Sequence, residues 1–267
     1  MSKTSCVGCR TSKPLGFAFS MAFQPIVDIV GERVWGYEAL VRGLAGEGAW
    51  SILSQVTEEQ RYRFDQACRT KAIELAAGLF DREGTRLSIN FLPNAIYDPA
   101  TCLRGTLAAA RKNRLPLTSI MFEFTEGEQV VDVAHLHRII EEYRRVGFIT
   151  ALDDFGAGYA GLGLLADFQP DLIKIDMHLV RNIDASPARR SIVAAILMVA
   201  RQLDIMVLAE GIETEAELRE LRSAGVRLMQ GYYFAKPAFE ALPSVDRATF
   251  EAHRIDGAAD VGMIAAE

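Results

Sequence analysis

Several residue types that mark common protein classes are scarce in this chain. Cysteine is one, with four in 267 residues. Cys68 and Cys102 stand alone and read as small buried hydrophobes. Cys6-x-x-Cys9 has the spacing of half a zinc site or of a redox pair, but no second Cys-x-x-Cys and no His-x-x-x-His completes it. Histidine also numbers four; His135, His137, His178 and His253 show no ligand spacing and read as helical or surface residues. Positive charge is in deficit. A net charge of −6 argues against a DNA or RNA duplex as partner, which would ask for a basic face. No apolar run approaches the roughly 18 residues of a membrane span. Lys3, Arg10 and Lys13 are followed by no apolar core of the kind a signal peptide needs. The chain therefore reads as cytoplasmic and without a membrane partner.

What the chain does have is apolar substance and a repeated pattern. Half of it is hydrophobic (50%), and its 267 residues suit one α/β barrel, a fold that commonly takes about 250. Short apolar runs recur, and each carries a carboxylate, amide or ammonium group at or near its end. Glu38 closes 33–37, Asn90 closes 87–89, Glu123 closes 120–122, and Asp153 with Asp154 closes 148–152. Lys174 sits late in 172–175, Glu210 closes 205–209, and Gln230 closes 226–229. In a parallel barrel these side chains would gather at the C-terminal rim, where such folds keep their chemistry.

The order of segments fits that architecture. Residues 1–18 read as a flexible leader holding the Cys-x-x-Cys, 19–255 as a single barrel domain, and 256–267 as a frayed tail. Extended segments at 19–29 and 32–43 flank the turn Val30-Gly31-Glu32, an antiparallel start that a regular barrel lacks. A helix near 57–79 puts Phe64, Cys68, Ala72, Leu75 and Leu79 on one face. Strand 86–91 follows, then helical stretches from 94 to 113 broken at Asp98-Pro99. Strand 119–124, a helix near 132–146 and strand 148–153 come next, then a short helix near 160–168. Strand 171–176 precedes a helix near 187–203 that aligns Ile192, Ile196, Val199 and Leu203. Strand 205–210, helix 214–224 with a Thr214-x-x-Glu217 capping box, strand 226–230 and a helix near 242–252 complete the pattern. The fold class expected is α/β: a modified TIM-type (β/α)8 barrel with an antiparallel first strand.

Carboxylates converging on one rim cannot all stay ionised without cations among them. Asp153 and Asp154 would point to opposite faces of a regular strand, but a Gly-rich turn can aim both at the rim. Judged alone they could equally be a solvated loop pair. An oxygen-rich set with one amide and no partnered His or Cys suits Mg²⁺ or Mn²⁺ better than zinc. Two such ions could polarise a phosphodiester and generate hydroxide for attack. Lys174 reads either as a salt-bridge partner of these acids or as a charge that orients water and steadies negative charge. Gln230 is either an ordinary rim amide or a residue holding that water. Arg42 is placed to meet a phosphate, though alone it would be a surface charge.

Glu38-Ala39-Leu40 then stands out, and the chain resembles the EAL-domain family of cyclic di-GMP phosphodiesterases. The likeness spans roughly 19–240 through Gln24-Pro25-Ile26-Val27-Asp28, Glu38-Ala39-Leu40-Val41-Arg42, Ile89-Asn90 and Glu123-Phe124-Thr125-Glu126. It continues through Asp153-Asp154-Phe155-Gly156-Ala157-Gly158-Tyr159, Ile173-Lys174-Ile175-Asp176, Ala209-Glu210-Gly211-Ile212-Glu213 and Gln230-Gly231-Tyr232. The resemblance implies hydrolysis of cyclic di-GMP to linear pGpG with two Mg²⁺ or Mn²⁺ ions. It implies that Glu38, Asn90, Glu123 and Asp153 hold one ion, and Asp153, Asp154 and Glu210 the other. Lys174 and Gln230 would surround the attacking water, Glu210 would count with them among the catalytic residues, and Glu126 would steady the loop after Asp154. Gln24, Leu40, Arg42, Asp176 and Pro237 would contact the dinucleotide. A homodimer is also implied.

Two segments depart from the common family pattern: Gly156-Ala157-Gly158-Tyr159-Ala160-Gly161 and Asn90-Phe91-Leu92. Both resemble EAL domains that follow blue-light-sensing BLUF domains, a subgroup with active enzymes and a degenerate member that binds a repressor. About 18 residues precede the barrel, so no sensor domain is expected ahead of it. The alternative reading is a non-catalytic EAL protein that binds cyclic di-GMP, a regulatory protein partner, or both.

Overall fold

The computed structural model describes residues 14–81, 84–125, 133–158 and 161–251. Cys6, Cys9, Glu126, Tyr159, His253 and the tail 256–267 lie outside the described residues.

A hairpin opens the fold. β1 (Ser20–Asp28) and β2 (Arg33–Arg42) pair antiparallel, from Ser20 opposite Arg42 to Asp28 opposite Arg33. Their turn needs glycine at position 31. The Gly31 amide donates to Asp28 Oδ1 at 2.8 Å, and a Cβ there would lie 2.5 Å from Asp28 Oδ2. Six strands follow: β3 (Arg86–Asn90), β4 (Ile120–Thr125), β5 (Ile149–Phe155), β6 (Leu172–Ile175), β7 (Met206–Ala209) and β8 (Leu228–Met229). From β2 to β8 each neighbouring pair is parallel, and β1 closes the ring antiparallel to both β2 and β8. This is the expected modified TIM-type barrel. β9 (Ala238–Phe239), absent from the sequence pattern, pairs with Ala22 and Phe23 of β1 beside β8. Two residues are too few to show alternation.

The helices occur where expected, but two present a rotated face. Helix Arg61–Leu79 buries Phe64, Asp65, Arg69, Ala72, Ile73 and Ala76, whereas Cys68, Leu75 and Leu79 are only partly buried. Helix Pro187–Gln202 buries Val193, Ile196 and Ala200, leaving Ile192 46% and Leu203 39% exposed. In both, apolar residues lie on more than one face, so periodicity alone leaves the inward side open by one position. The expected break at Asp98-Pro99 is a cap: Asp98 Oδ1 accepts from the Thr101 amide at 2.7 Å, and helix Pro99–Lys112 follows. Thr214 and Glu217 form the capping box of helix Glu215–Ser223. The last helix begins at Arg247 rather than near 242 and runs to Glu251, the last described residue, and short helices at Ala49–Leu53 and Met177–Val180 are additional. No described helix is long and apolar enough to cross a membrane.

Two apolar layers hold the barrel. The larger lies between strands and helices, with Phe23, Phe122, Phe124, Ile173 and Leu218 fully buried. The smaller plugs the barrel interior: Ile26, Trp35, Met121, Ala151, Leu172, Leu208 and Leu228. Side chains two apart on a strand share a face. The inward neighbours of the plug, one layer nearer the C-terminal rim, are therefore Gln24, Glu123, Asp153, Lys174, Glu210 and Gln230. An apolar plug thus lies beneath a polar layer inside the barrel.

Candidate active site

Lys174 stands at the centre of that polar layer and is 1% exposed. Its Nζ lies 2.8 Å from Glu210 Oε1, 3.0 Å from Asp153 Oδ1, 3.1 Å from Glu123 Oε2 and 3.6 Å from Glu38 Oε2. β2, β4, β5 and the end of β7 each thus supply one carboxylate to one ammonium. Asn90, ending β3, donates from Nδ2 to Glu38 Oε1 at 3.2 Å and to Glu123 Oε1 at 2.9 Å. Gln230, after β8, donates to Glu38 Oε2 at 2.7 Å and to Gln24 Oε1 at 3.2 Å. Gln24 in turn donates to the Ala235 carbonyl at 3.3 Å.

Asp154 joins the rim through a local irregularity. The β5–β6 register shifts between Leu152 and Phe155, and Asp154 takes a left-handed φ of 55°. That conformation costs a residue with a Cβ about 1–2 kcal/mol, though Asp and Asn tolerate it best. It brings two adjacent carboxylates to the same side. Oxygens of Asp153, Asp154 and Glu210 all come within 4.8 Å of one another.

The electrostatics are unbalanced. Glu38, Glu123, Asp153, Asp154 and Glu210 face the single ammonium of Lys174. Burial disfavours the charged form of Glu38, but Lys174 and hydrogen bonds, including those from Gln230 and Asn90, outweigh it and hold its pKa below the usual value. Glu123 moves the other way although Lys174 touches it too. Its burial, with repulsion from Glu38 and Asp153, pushes it well above the carboxylate range. Glu210 is likewise pushed well up, by burial and then by Asp153 and Glu38. Burial and the neighbouring Asp153 raise Asp154 to about 6. Lys174 is held well above its usual value because the surrounding carboxylates overcome its burial. Glu123 and Glu210 thus resist ionisation while Lys174 is the one cation against them among the described residues.

The donor set fits divalent cations. It is hard, oxygen-rich and excessively negative, and Gln230 Oε1 is buried without a hydrogen-bond partner among the described residues. Asn90 presents its amide nitrogen to the acids, so ligation through its oxygen requires the amide to turn over.

The remaining expected residues are more dispersed. Leu40 lines an apolar cavity of about 280 Å³ with Asn90, Phe91 and Leu92. Arg42, at the end of β2, donates to the Val41 carbonyl at 2.7 Å. Asp176 caps helix Met177–Val180, accepting from the His178 amide at 2.9 Å, and its charge helps raise Asp154. Pro237 lies half-buried before β9, two residues past the carbonyl that binds Gln24. Two contributors escaped the sequence reading. Ser88 Oγ donates to Glu123 Oε2 at 2.6 Å, and period-two alternation from Asn90 points to it. Asp65 Oδ1 accepts from the Leu92 amide at 3.0 Å, bracing the segment after Asn90; a lone acid in a helix gives no such signal.

Fold and site together define an α/β barrel with an acidic, cation-seeking rim. The EAL-domain family profile matches residues 16–237, and the chain belongs to that family. A standalone versatile EAL protein of Vibrio cholerae O395, in its cyclic di-GMP-bound crystal form, is 56% identical, with a TM-score of 0.85 over 89% of this chain and 99% of that one. The blue light- and temperature-regulated antirepressor BluF of Escherichia coli K12 is 34% identical over 224 residues, 84% of this chain and 55% of BluF. Cyclic di-GMP phosphodiesterase PA2567 of Pseudomonas aeruginosa PAO1 is 30% identical over 225 residues, 82% of this chain and 38% of that protein. The chain thus spans about half or less of these two curated relatives.

Proposed function

We propose that the chain hydrolyses one phosphodiester of cyclic di-GMP, giving linear pGpG, with two Mg²⁺ or Mn²⁺ ions. The observation that carries this reading is the buried Lys174 facing a surplus of carboxylates. Glu38, Asn90, Glu123 and Asp153 would hold one ion, and Asp153, Asp154 and Glu210 the other. Bound there, such ions supply Lewis-acid polarisation of the phosphodiester and a lowered pKa for water.

The chain's own residues do the rest. Lys174 keeps a fixed positive charge within reach of Glu210 and Asp153, where it can orient a water and steady negative charge as it develops. Gln230 is held through Nε2 by Glu38 and Gln24, which leaves Oε1 to accept a hydrogen bond from that water. The apolar plug beneath keeps bulk water out from below. Gln24, the backbone at Leu40, Arg42, Asp176 and Pro237 are assigned to the dinucleotide, and Glu126 to the loop after Asp154. A cytoplasmic homodimer accompanies this reading, and light scattering of the purified protein tests the dimer.

The experiment is to incubate the protein with cyclic di-GMP and Mg²⁺ or Mn²⁺ and follow pGpG by chromatography. Metal-dependent pGpG that Glu38→Ala fails to make supports the enzyme. Cyclic di-GMP that binds but is not cleaved with any divalent ion rejects it. That result would favour a non-catalytic binder of a protein partner, which the similarity to an antirepressor makes the second reading.

A further inference from the structure

The opposite end of the barrel has a cavity of its own, of about 740 Å³. It opens where β2, β3, β7 and β8 begin and where helix Pro187–Gln202 ends. Trp35 and Leu228 of the apolar plug form part of its lining, so the plug separates it from the Lys174 cluster. Arg33, Arg86, Arg201 and Arg227 line it against Asp28 and Asp204.

These charges are not matched one to one. Asp28 is already committed: Arg227 grips it with Nε and a terminal nitrogen, each at 2.8 Å, and Arg33 Nε lies 3.6 Å away. Arg86 stacks on Trp35, with its guanidinium carbon 4.5 Å from the ring centroid. Its Nε is buried without a hydrogen-bond partner among the described residues. Burial and repulsion from Arg33 hold the Arg86 pKa below its usual value. Arg201, exposed near the end of its helix, makes no ion pair among the described residues. Leu197, Ile205 and Val207 add apolar wall.

We infer that this cavity binds a phosphate-bearing small molecule of about nucleotide size, with its phosphates at Arg86 and Arg201 and its body against the apolar wall. Several guanidiniums converging on one place suit phosphate, which carries more than one charge and accepts forked donors. The volume lies within the roughly 300–1,000 Å³ of small-molecule sites. The site shares no residue with the proposed phosphodiesterase centre, so either assignment can fail without the other.

The chain has two tryptophans, and Trp50 is 79% exposed, so Trp50→Phe protein reports on Trp35 alone. Pyrophosphate is titrated into it in the presence of a chelator, which leaves the acidic rim bare and repellent to anions. The expected result is a saturable change in Trp35 emission that Arg201→Ala and Arg86→Met each weaken about tenfold or more. Arg201 is exposed and makes no ion pair among the described residues, so that variant keeps the fold. No saturable change at millimolar pyrophosphate, or binding in both variants as tight as in the Trp50→Phe parent, overturns the site. Calorimetry with ATP under the same conditions tests the size assignment. Tighter binding than pyrophosphate supports it, and weaker binding overturns it.

Discussion

Arg69 and Lys174 are both buried cations, 0% and 1% exposed, yet their surroundings differ in kind. Arg69 meets one carboxylate, with Nε 2.8 Å from Asp65 Oδ2. It donates to the Tyr143 hydroxyl at 2.6 Å, and its guanidinium lies over the rings of Phe91, Phe122 and Tyr143. Burial opposes its charge, but Asp65 and Tyr143 overcome this and hold its pKa above the usual value. One charge answers one charge, in an aromatic shell. Lys174 instead faces four carboxylates within 3.6 Å, with Asp154 close behind. Burial of a charge is common to both regions; only the unbalanced one asks for something from outside. Imbalance, more than burial, separates a site from a strut.

The largest effect expected is at the strut. Arg69→Met leaves Asp65 buried and unpaired, which should cost about 3–5 kcal/mol of stability, read by urea unfolding. Adding Asp65→Leu should recover part of the loss. If the single variant is as stable as the parent, the balanced pair is not structural and the comparison breaks.

Lys174→Met should behave in the opposite way. The turnover of cyclic di-GMP proposed above should fall about 10²–10³-fold, while circular dichroism in Mn²⁺, with bound cations facing the carboxylates, stays that of the parent. Global unfolding of this variant, like that expected of Arg69→Met, would place Lys174 with the struts.

A smaller, pH-dependent effect sharpens the distinction at the other end of the barrel. Burial tends to raise the pKa of Asp28, but hydrogen bonds from Arg227 and Gly31 and the charges of Arg227 and Arg33 bring it below the ordinary 3.8. A carboxylate with a depressed folded-state pKa adds stability above its unfolded pKa and loses it as pH falls through the folded value. Asp28→Asn should therefore lower the melting temperature near neutral pH and converge with the parent in acid below pH 3.8. A constant difference at all pH values would mean that Asp28 contributes packing rather than charge.

Much of the barrel and its rim could be read from the sequence because the signals were chemical and local. Glu38, Asn90, Glu123, Asp153, Lys174, Glu210 and Gln230 each stand at or near the end of a short apolar run, so position and chemistry coincide. The Thr214 and Glu217 capping box was legible for the same reason, whereas Asp98, read as a break, caps the helix that follows it. Helix faces were less so. Ile192 looked inward by hydropathy, but Val193, Ile196 and Ala200 are the residues buried, because apolar residues lie on more than one face of this helix. Arg69 was invisible: an arginine in a helix reads as solvent-facing until its aromatic shell, drawn from distant segments, is assembled. β9 and helix Met177–Val180 are too short to carry a period. The cavity of arginines beneath the barrel draws on β1, β2, β3, the β7–β8 region and a helix terminus, which no single stretch of sequence brings together.

The most direct test of the central claim, that the Lys174 cluster carries negative charge meant for divalent cations, is calorimetric titration of Mn²⁺ into the chelator-treated protein. Saturable binding that Asp153→Asn and Glu210→Gln abolish, and that a folded Arg69→Met protein retains, is the predicted result. No binding, or binding unchanged in the two rim variants, would contradict it.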